Sequence, residues 1–174
     1  MPTFKIILAY DGTDYVGWQR QANGVSIQAL IEESLRALDE REVTVHGAGR
    51  TDAGVHALGQ VAAFTLNRSL PAVAVVRAIN ARLPAAIRVL SAEEVPSDFQ
   101  PRFAARDKTY RYRLWIGDAI SPFESRYAWH IAGDLNLPAM RSAAAMLVGR
   151  HDFAAFQAAG SPTASTQQIG RAHV

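Results

Sequence analysis

The sequence predicts an α+β protein: a ferredoxin-like β-α-β-β-α-β domain followed by an incomplete second antiparallel α+β half. Three observations carry this reading. Apolar runs of strand length are bounded by turn residues, stretches with apolar residues at helical spacing lie between them, and the pattern stops after residue 156. In a ferredoxin-like domain helices cover one face of an antiparallel sheet and leave the other free for work.

The elements follow in order. Residues 3–10 are β-rich and nearly continuous in apolar character, and Asp11 and Gly12 close them with turn chemistry. Ser26 is a good N-cap, and Ile27, Leu30, Ile31, Leu35 and Leu38 recur at helical spacing opposite Glu32, Glu33 and Arg36. That helix should end near Leu38. Residues 43–46 read as a short strand, the small-residue run 47–54 as a loop and 60–66 as another strand. Pro71 is placed to open a second helix with Val73, Val76, Ile79 and Leu83 on one face, and Pro84 forbids its continuation. Residues 87–90 complete the series as a fourth strand.

After a loop over 96–103, strands are predicted at 109–116 and 127–131, and a helix at 138–148 with Gly149 as its C-cap. Residues 157–174 are small and polar and offer no element to cover that helix. A helix-covered sheet without its remaining strands is an unfinished layer. The expected organisation is a ferredoxin-like domain over 1–103 that carries the small-residue loop 47–54, a partial domain over 104–168, and a non-native tail over 169–174.

Composition bounds the function. With 174 residues, 49% hydrophobic and 20% charged, the chain is neither disordered nor collagen-like, and it is long enough to bury a core without a disulfide or metal staple. It has no cysteine, which removes disulfides, thiolate nucleophiles and cysteine-ligated metals together and suits a reducing cytoplasm. No apolar run approaches the roughly 20 residues that cross a bilayer. Lys5 lies in a strand-like segment instead of before an apolar signal core, so a cytosolic location is expected.

The net charge is only +2, but its distribution is uneven. Arg102, Arg106, Lys108, Arg111 and Arg113 stand against Asp107 alone, interleaved with Phe103, Tyr110 and Tyr112. Cations for phosphates beside rings for bases make a nucleic-acid surface. An amphipathic strand with a solvated charged face has the same composition.

The loop GAGRTDAGVHA, residues 47–57, is the richest in chemistry. Small residues permit unusual backbone angles and close approach by a bulky ligand, and Arg50 can hold Asp52 ionised or bind a phosphate. A charged carboxylate can serve as nucleophile or base. An aspartate that bonds to its own turn backbone is the structural alternative. His46, His56, His130, His151 and His173 show no metal-ligand spacing, so no metal is expected. His56 could relay a proton, cap or pack.

This loop resembles the catalytic motif of the TruA-type tRNA pseudouridine synthases. YDGTDYVGWQRQ at 10–21 resembles the family's N-terminal motif, KTYRY at 108–112 its tyrosine-bearing strand and HDFAAF at 151–156 a later motif. The four occur in family order, and the resemblance covers about residues 3–165. It implies the pseudouridine synthase fold and isomerisation of uridine to pseudouridine in the tRNA anticodon stem-loop, at tRNA positions 38–40. Asp52 would be the catalytic nucleophile and Tyr110 the ring that packs on the uracil. The reaction breaks the bond from N1 to C1′, turns the base and joins C5 to C1′; attack on C1′, attack on C6 and a glycal route all remain open. A uracil in a stem must first leave the stack. Arg50 would then bind the flipped nucleotide or fill its space, unless it is a structural ion pair with Asp52. Arg20, Arg102, Arg106, Lys108 and Arg111 would be further RNA contacts. No cofactor is implied, and the partners expected are tRNA and a second copy in a homodimer, with no membrane.

Two other functions fit less well. A non-catalytic RNA-binding module would want basic and paired aromatic residues on the third strand, and 60–66 lacks them. A magnesium-dependent phosphohydrolase would need Asp11, Asp14 and Asp52 to converge.

Members of the family continue well past the length of this chain, through a late motif whose basic residue pairs with the catalytic aspartate. Residues 169–174 also read as the translation of a common sequencing adapter, so the natural frame is expected to be lost at about Gln168. The chain alone is expected to expose the apolar face of its last helix and to be aggregation-prone and inactive.

Overall fold

A computed structural model of the chain describes residues 1–156, 166–172 and 174, with side chains left out at 166–168. The chain divides into two compact units, Met1–Tyr110 and Arg111–Val174.

The first unit holds β1 (Thr3–Tyr10), α1 (Ile27–Asp39), β2 (His46–Gly47), β3 (Ala57–Thr65), α2 (Ala72–Asn80), β4 (Ile87–Val95) and the single turn α3 (Pro101–Ala104). Its strands form one sheet in the order β2-β3-β1-β4, with every neighbouring pair antiparallel. Along β1 the residues Phe4, Ile6, Leu8 and Tyr10 are buried, and they share one core with Ile27, Ile31 and Leu35 of α1 and Val75 and Ile79 of α2. The intervening Lys5 points to the opposite face, where it pairs with Glu93 across from it on β4. The period of two in β1 thus places the helices on one side.

The helix α1 starts where the Ser26 hydroxyl accepts from the Ala29 amide at 3.2 Å, and ends where Glu40 takes a left-handed φ of 58°. In α2, Pro71 caps the helix from outside instead of occupying its first turn. The expected apolar face is also rotated: Val75, Ile79 and Leu83 are buried while Val73 is 57% exposed. This helix is apolar nearly all round, so its sequence offers two helical stripes and the tertiary contacts select one.

Three strand boundaries differ from those the sequence predicts. The segment expected as a strand at 43–46 joins the ladder only at His46. Side chains of α1 satisfy its backbone instead: Glu32 Oε1 accepts from the Val45 amide at 3.2 Å and Gln28 Nε2 donates to the Val45 carbonyl at 2.9 Å. β3 begins three residues earlier than expected, at Ala57. β4 runs on to Val95 because its register with β1 continues from Tyr10↔Ile87 to Thr3↔Val95, although Ser91, Glu93 and Glu94 are polar. An edge strand with one solvated face tolerates those residues.

The second unit holds β5 (Leu114–Ile116), β6 (Trp129–Ile131), α4 (Leu137–Met146), β7 (Gly149–Asp152), a 3₁₀ turn (Ala154–Phe156) and β8 (Thr166–Ile169). The expectation of an antiparallel second half is corrected in part. β7 and β8 pair antiparallel, but β5 and β6 pair in parallel. The 12 residues between Ile116 and Trp129 allow the chain to return in the same direction. β5 is also shorter than the strand expected from residue 109: Tyr110 and Tyr112 are 79% and 87% exposed, so no buried face extends the ladder there. Gly149 opens β7 at φ 115°, and Leu147 is the C-cap of α4 in its place.

Of the tail expected to lack structure, 157–165 lies outside the described residues, as does His173, whereas Thr166–Ile169 forms β8 against β7. That pairing uses backbone groups, which is why a polar sequence does not reveal it. Every buried residue among those described belongs to the first unit. α4 buries none of its side chains, and Met146 is 72% exposed. Among the described residues no helix is long and apolar enough to cross a membrane.

Candidate active site

The loop that carries Asp52 leaves β2 and returns into β3, and it is anchored at both ends and in the middle. At its start the Ala48 amide donates to the Val61 carbonyl at 2.8 Å, and Gln60 Nε2 donates to the Gly49 carbonyl at 2.6 Å. In the middle Thr51 is gripped twice. Its carbonyl accepts from the Trp18 amide at 3.0 Å, and its hydroxyl lies 2.9 Å from the Tyr10 hydroxyl. Beyond Asp52, whose carbonyl closes a turn by accepting from the Val55 amide at 3.2 Å, the Gly54 amide donates to the Tyr15 carbonyl at 3.3 Å.

The exit is held by histidine. His56 Nδ1 accepts from the Gly12 amide at 3.1 Å and lies 3.1 Å from Asp11 Oδ1, which itself accepts from the amide and hydroxyl of Thr13. The ring thus acts as a cap that ties the loop to the end of β1. Asp11 and Gly12 form a turn, as their chemistry suggests, but a turn built against the Asp52 loop.

Residues 10–18 therefore act as a frame for that loop. The frame needs its glycines for space: a Cβ on Gly12 would fall 2.1 Å from the Val55 carbonyl oxygen. Gly17 needs both space and conformation, with φ at +105° and a would-be Cβ 2.5 Å from the Thr51 carbonyl oxygen. Trp18 is 3% exposed and lies against Tyr10 with ring centroids 6.3 Å apart. Burial raises the Tyr10 pKa above the ordinary phenol value, and the bond to Thr51 only partly offsets it.

The arrangement turns the loop's backbone polar groups inward and leaves the Asp52 and Arg50 side chains exposed. No ion pair joins the two among the described residues, so the purely structural role weighed for Arg50 has no contact behind it. Lys108 also reaches this loop: its Nζ lies only 2.7 Å from where a Cβ on Gly49 would stand. Arg102, Arg106 and Tyr110 are exposed in the first unit, and Arg111 is exposed in the second. Arg113 is paired with Glu124 at 2.5 Å.

Arg20, expected as an RNA contact, is largely exposed and also bonds within the fold. Its Nη1 lies 3.0 Å from Oε2 of the buried Glu32, and its amide donates to Gln28 at 2.9 Å. It thus belongs to the network that holds α1 and the segment before β2. Two residues of the site went unread in the sequence, Tyr10 and Thr51. Their hydroxyls meet across 41 positions, a separation over which no local pattern operates. The phosphohydrolase alternative loses support, since Asp11 Oδ1 already accepts from the Thr13 amide and hydroxyl, and among the described residues no three carboxylate or imidazole groups gather as metal ligands.

Comparison with known proteins bears on the same segment. Residues 6–104 match a family profile described as tRNA pseudouridine synthase. The chain is 50% identical over 166 residues to a tRNA pseudouridine synthase A of Geobacter sulfurreducens, an alignment covering 95% of this chain and 68% of that protein. It is 46% identical over 166 residues to that of Syntrophotalea carbinolica, covering 95% and 66%, and 50% identical over 159 residues to that of Myxococcus xanthus, covering 91% and 60%. The chain spans about two thirds of the length of these curated relatives.

Proposed function

Because this chain belongs to the tRNA pseudouridine synthase family, we propose that it carries the catalytic half-site for isomerising uridine to pseudouridine in the anticodon stem-loop of tRNA. The observation that carries this reading is the framed loop, in which Asp52 is exposed while β3 and residues 10–18 hold the loop through its backbone and through the Thr51 and His56 side chains. A flipped uridine set over the loop would bring C1′ and C6 to the Asp52 carboxylate. Attack at either carbon, or removal of a ribose proton toward a glycal, draws on the same ionised group. The N1–C1′ bond breaks, the freed uracil turns in place, and C5 bonds to C1′ as the bond to Asp52 breaks or, on the glycal route, Asp52 returns the ribose proton. C5 then loses its proton and N1 takes one up, directly or through solvent, so the reaction balances without any further reagent.

Arg50 holds the flipped nucleotide or fills the space it leaves. Tyr110 stacks on the uracil, and Arg102, Arg106 and Arg111 follow the RNA backbone. The sheet order β2-β3-β1-β4 with helices on one face supports a ferredoxin-like first domain over 1–103, followed by a partial domain over 104–168. A homodimer working in the cytoplasm completes the proposal.

The test uses a chimera that adds the C-terminal third of the Geobacter sulfurreducens relative, beside the chain alone, with unmodified tRNA and pseudouridine mapping. The chimera is expected to modify the anticodon stem-loop, its Asp52→Asn variant to lose at least about 10³-fold in rate, and the chain alone to be inactive. Equal modification by chimera and variant would refute the role of Asp52. No modification by the chimera would refute the function.

A further inference from the structure

We propose that Lys108 and Gly49 form a phosphate subsite at the entrance of the Asp52 loop, one that takes a phosphate flanking the target uridine. The inference rests on the tRNA-modifying reading above and adds to it a residue pair and a ligand group. Lys108 and Arg50 are exposed, and among the described residues no acidic side chain forms an ion pair with Lys108. Its ammonium lies against Gly49, close enough that a methyl group there would stand 2.7 Å from Nζ and 3.3 Å from Cε. The Gly49 carbonyl is already engaged by Gln60 Nε2 at 2.6 Å. The ammonium is thus seated by the missing side chain, with its N–H groups left for a ligand.

Position selects the ligand. Gly49 is three residues from Asp52, so the two backbones stand no more than about 10 Å apart. An ammonium there reaches the phosphate on one side of a nucleotide whose sugar faces Asp52. Lysine, as a compact point charge with three donors, suits a phosphate of variable orientation. Arg50, within the same loop, remains for the flipped nucleotide itself.

The pair can be separated from general surface charge. Gly49 does not have a left-handed φ, so Gly49→Ala is unstrained in its backbone, and its methyl displaces only the flexible end of Lys108. The experiment measures binding of the 174-residue chain to a fluorescent anticodon stem-loop RNA from low to high salt. Loss of one phosphate contact lowers the slope of log K against log salt by about 0.7 for single-stranded RNA, which is about 5-fold in affinity at 0.1 M salt when extrapolated from 1 M. Lys108→Met and Gly49→Ala should each show this loss, the double variant no more than either, and Lys108→Arg should keep the slope. An RNA with a neutral methylphosphonate on one particular side of the target uridine should show the same loss with the unsubstituted chain and no further loss with Lys108→Met. Full additivity of the two substitutions, or a steep slope that neither alters, would overturn the subsite alone. A chain that binds the RNA with no salt dependence would overturn both the subsite and the RNA-binding function beneath it.

Discussion

Replacing Thr51 by Val tests whether the loop beside the candidate nucleophile is held by a specific hydrogen bond or by packing alone. Tyr10 is 4% exposed, and its hydroxyl meets the Thr51 hydroxyl at 2.9 Å, while the Thr51 carbonyl separately accepts from Trp18. The substitution keeps the shape and strands a buried phenol hydroxyl, a loss of about 1–3 kcal/mol, with the lower half expected because Thr51 is itself only half-buried. Tyr10→Phe strands the more accessible Thr51 hydroxyl and should cost about 0.5–1.5 kcal/mol. The double variant removes both partners, so it should be less destabilised than the sum of the single changes, by roughly 0.5–1.5 kcal/mol. Urea unfolding followed by far-UV circular dichroism measures all three. In the active chimera Thr51→Val should lower kcat by about 10-fold or more with KM nearly unchanged, since a small misplacement of a reacting group is costly. Thr51→Ser should restore it. Strictly additive stabilities, with an interaction energy under about 0.3 kcal/mol, would refute the claim that these hydroxyls act as a pair.

Acid should weaken the first unit through Asp39. Burial raises its pKa, but the Asn67 amide, the Arg41 guanidinium and the Arg68 amide outweigh burial and hold the carboxyl below its ordinary value. Its stabilising contribution is therefore present above the unfolded pKa of about 3.9 and lost as pH falls through the folded value. Asp39→Asn should cost about 1–3 kcal/mol at pH 7 and flatten the acid limb of urea midpoints measured between about pH 2 and 7. Gly47→Ala would place a methyl 2.5 Å from the indole nitrogen of Trp18, which is buried and cannot yield, so a loss of about 1–3 kcal/mol is expected in thermal melts. Arg20→Met should lower stability by no more than about 1 kcal/mol, because its guanidinium is largely exposed. It should leave the salt slope of RNA binding intact, and a slope reduced by about 0.7 would return Arg20 to the RNA surface.

Much of the first unit was legible because its signals are local. The nearly continuous apolar run Thr3–Tyr10, the Ser26 cap and the stripe Ile27, Ile31, Leu35 each lie within one element, and they end up in the core. The Asp52 loop stood out for a different reason: small residues around one carboxylate and one guanidinium suit close approach by a ligand as well as a tight turn, and the resemblance in sequence favours the first.

What the sequence concealed depends on partners distant in the chain. Glu93 and Glu94 lie beyond the strand expected at 87–90 until β1 stands beside them, and residues 43–45 read as a strand until Glu32 and Gln28 take over the backbone bonds at Val45. Arg20 reads as a free cation until the buried Glu32 stands opposite it. Likewise the parallel pairing of β5 with β6 and the role of residues 10–18 as a frame are facts about where the chain returns. By itself the sequence determined the buried face of α1, the first strand and the absence of cysteine chemistry, and it singled out the Asp52 loop as the candidate site, since residue type and spacing act over a few positions. Only the tertiary structure decided which polar groups are already satisfied by distant segments and which, like Asp52, Arg50 and Lys108, are exposed, because a hydrogen bond or ion pair exists only once both its ends have been brought together.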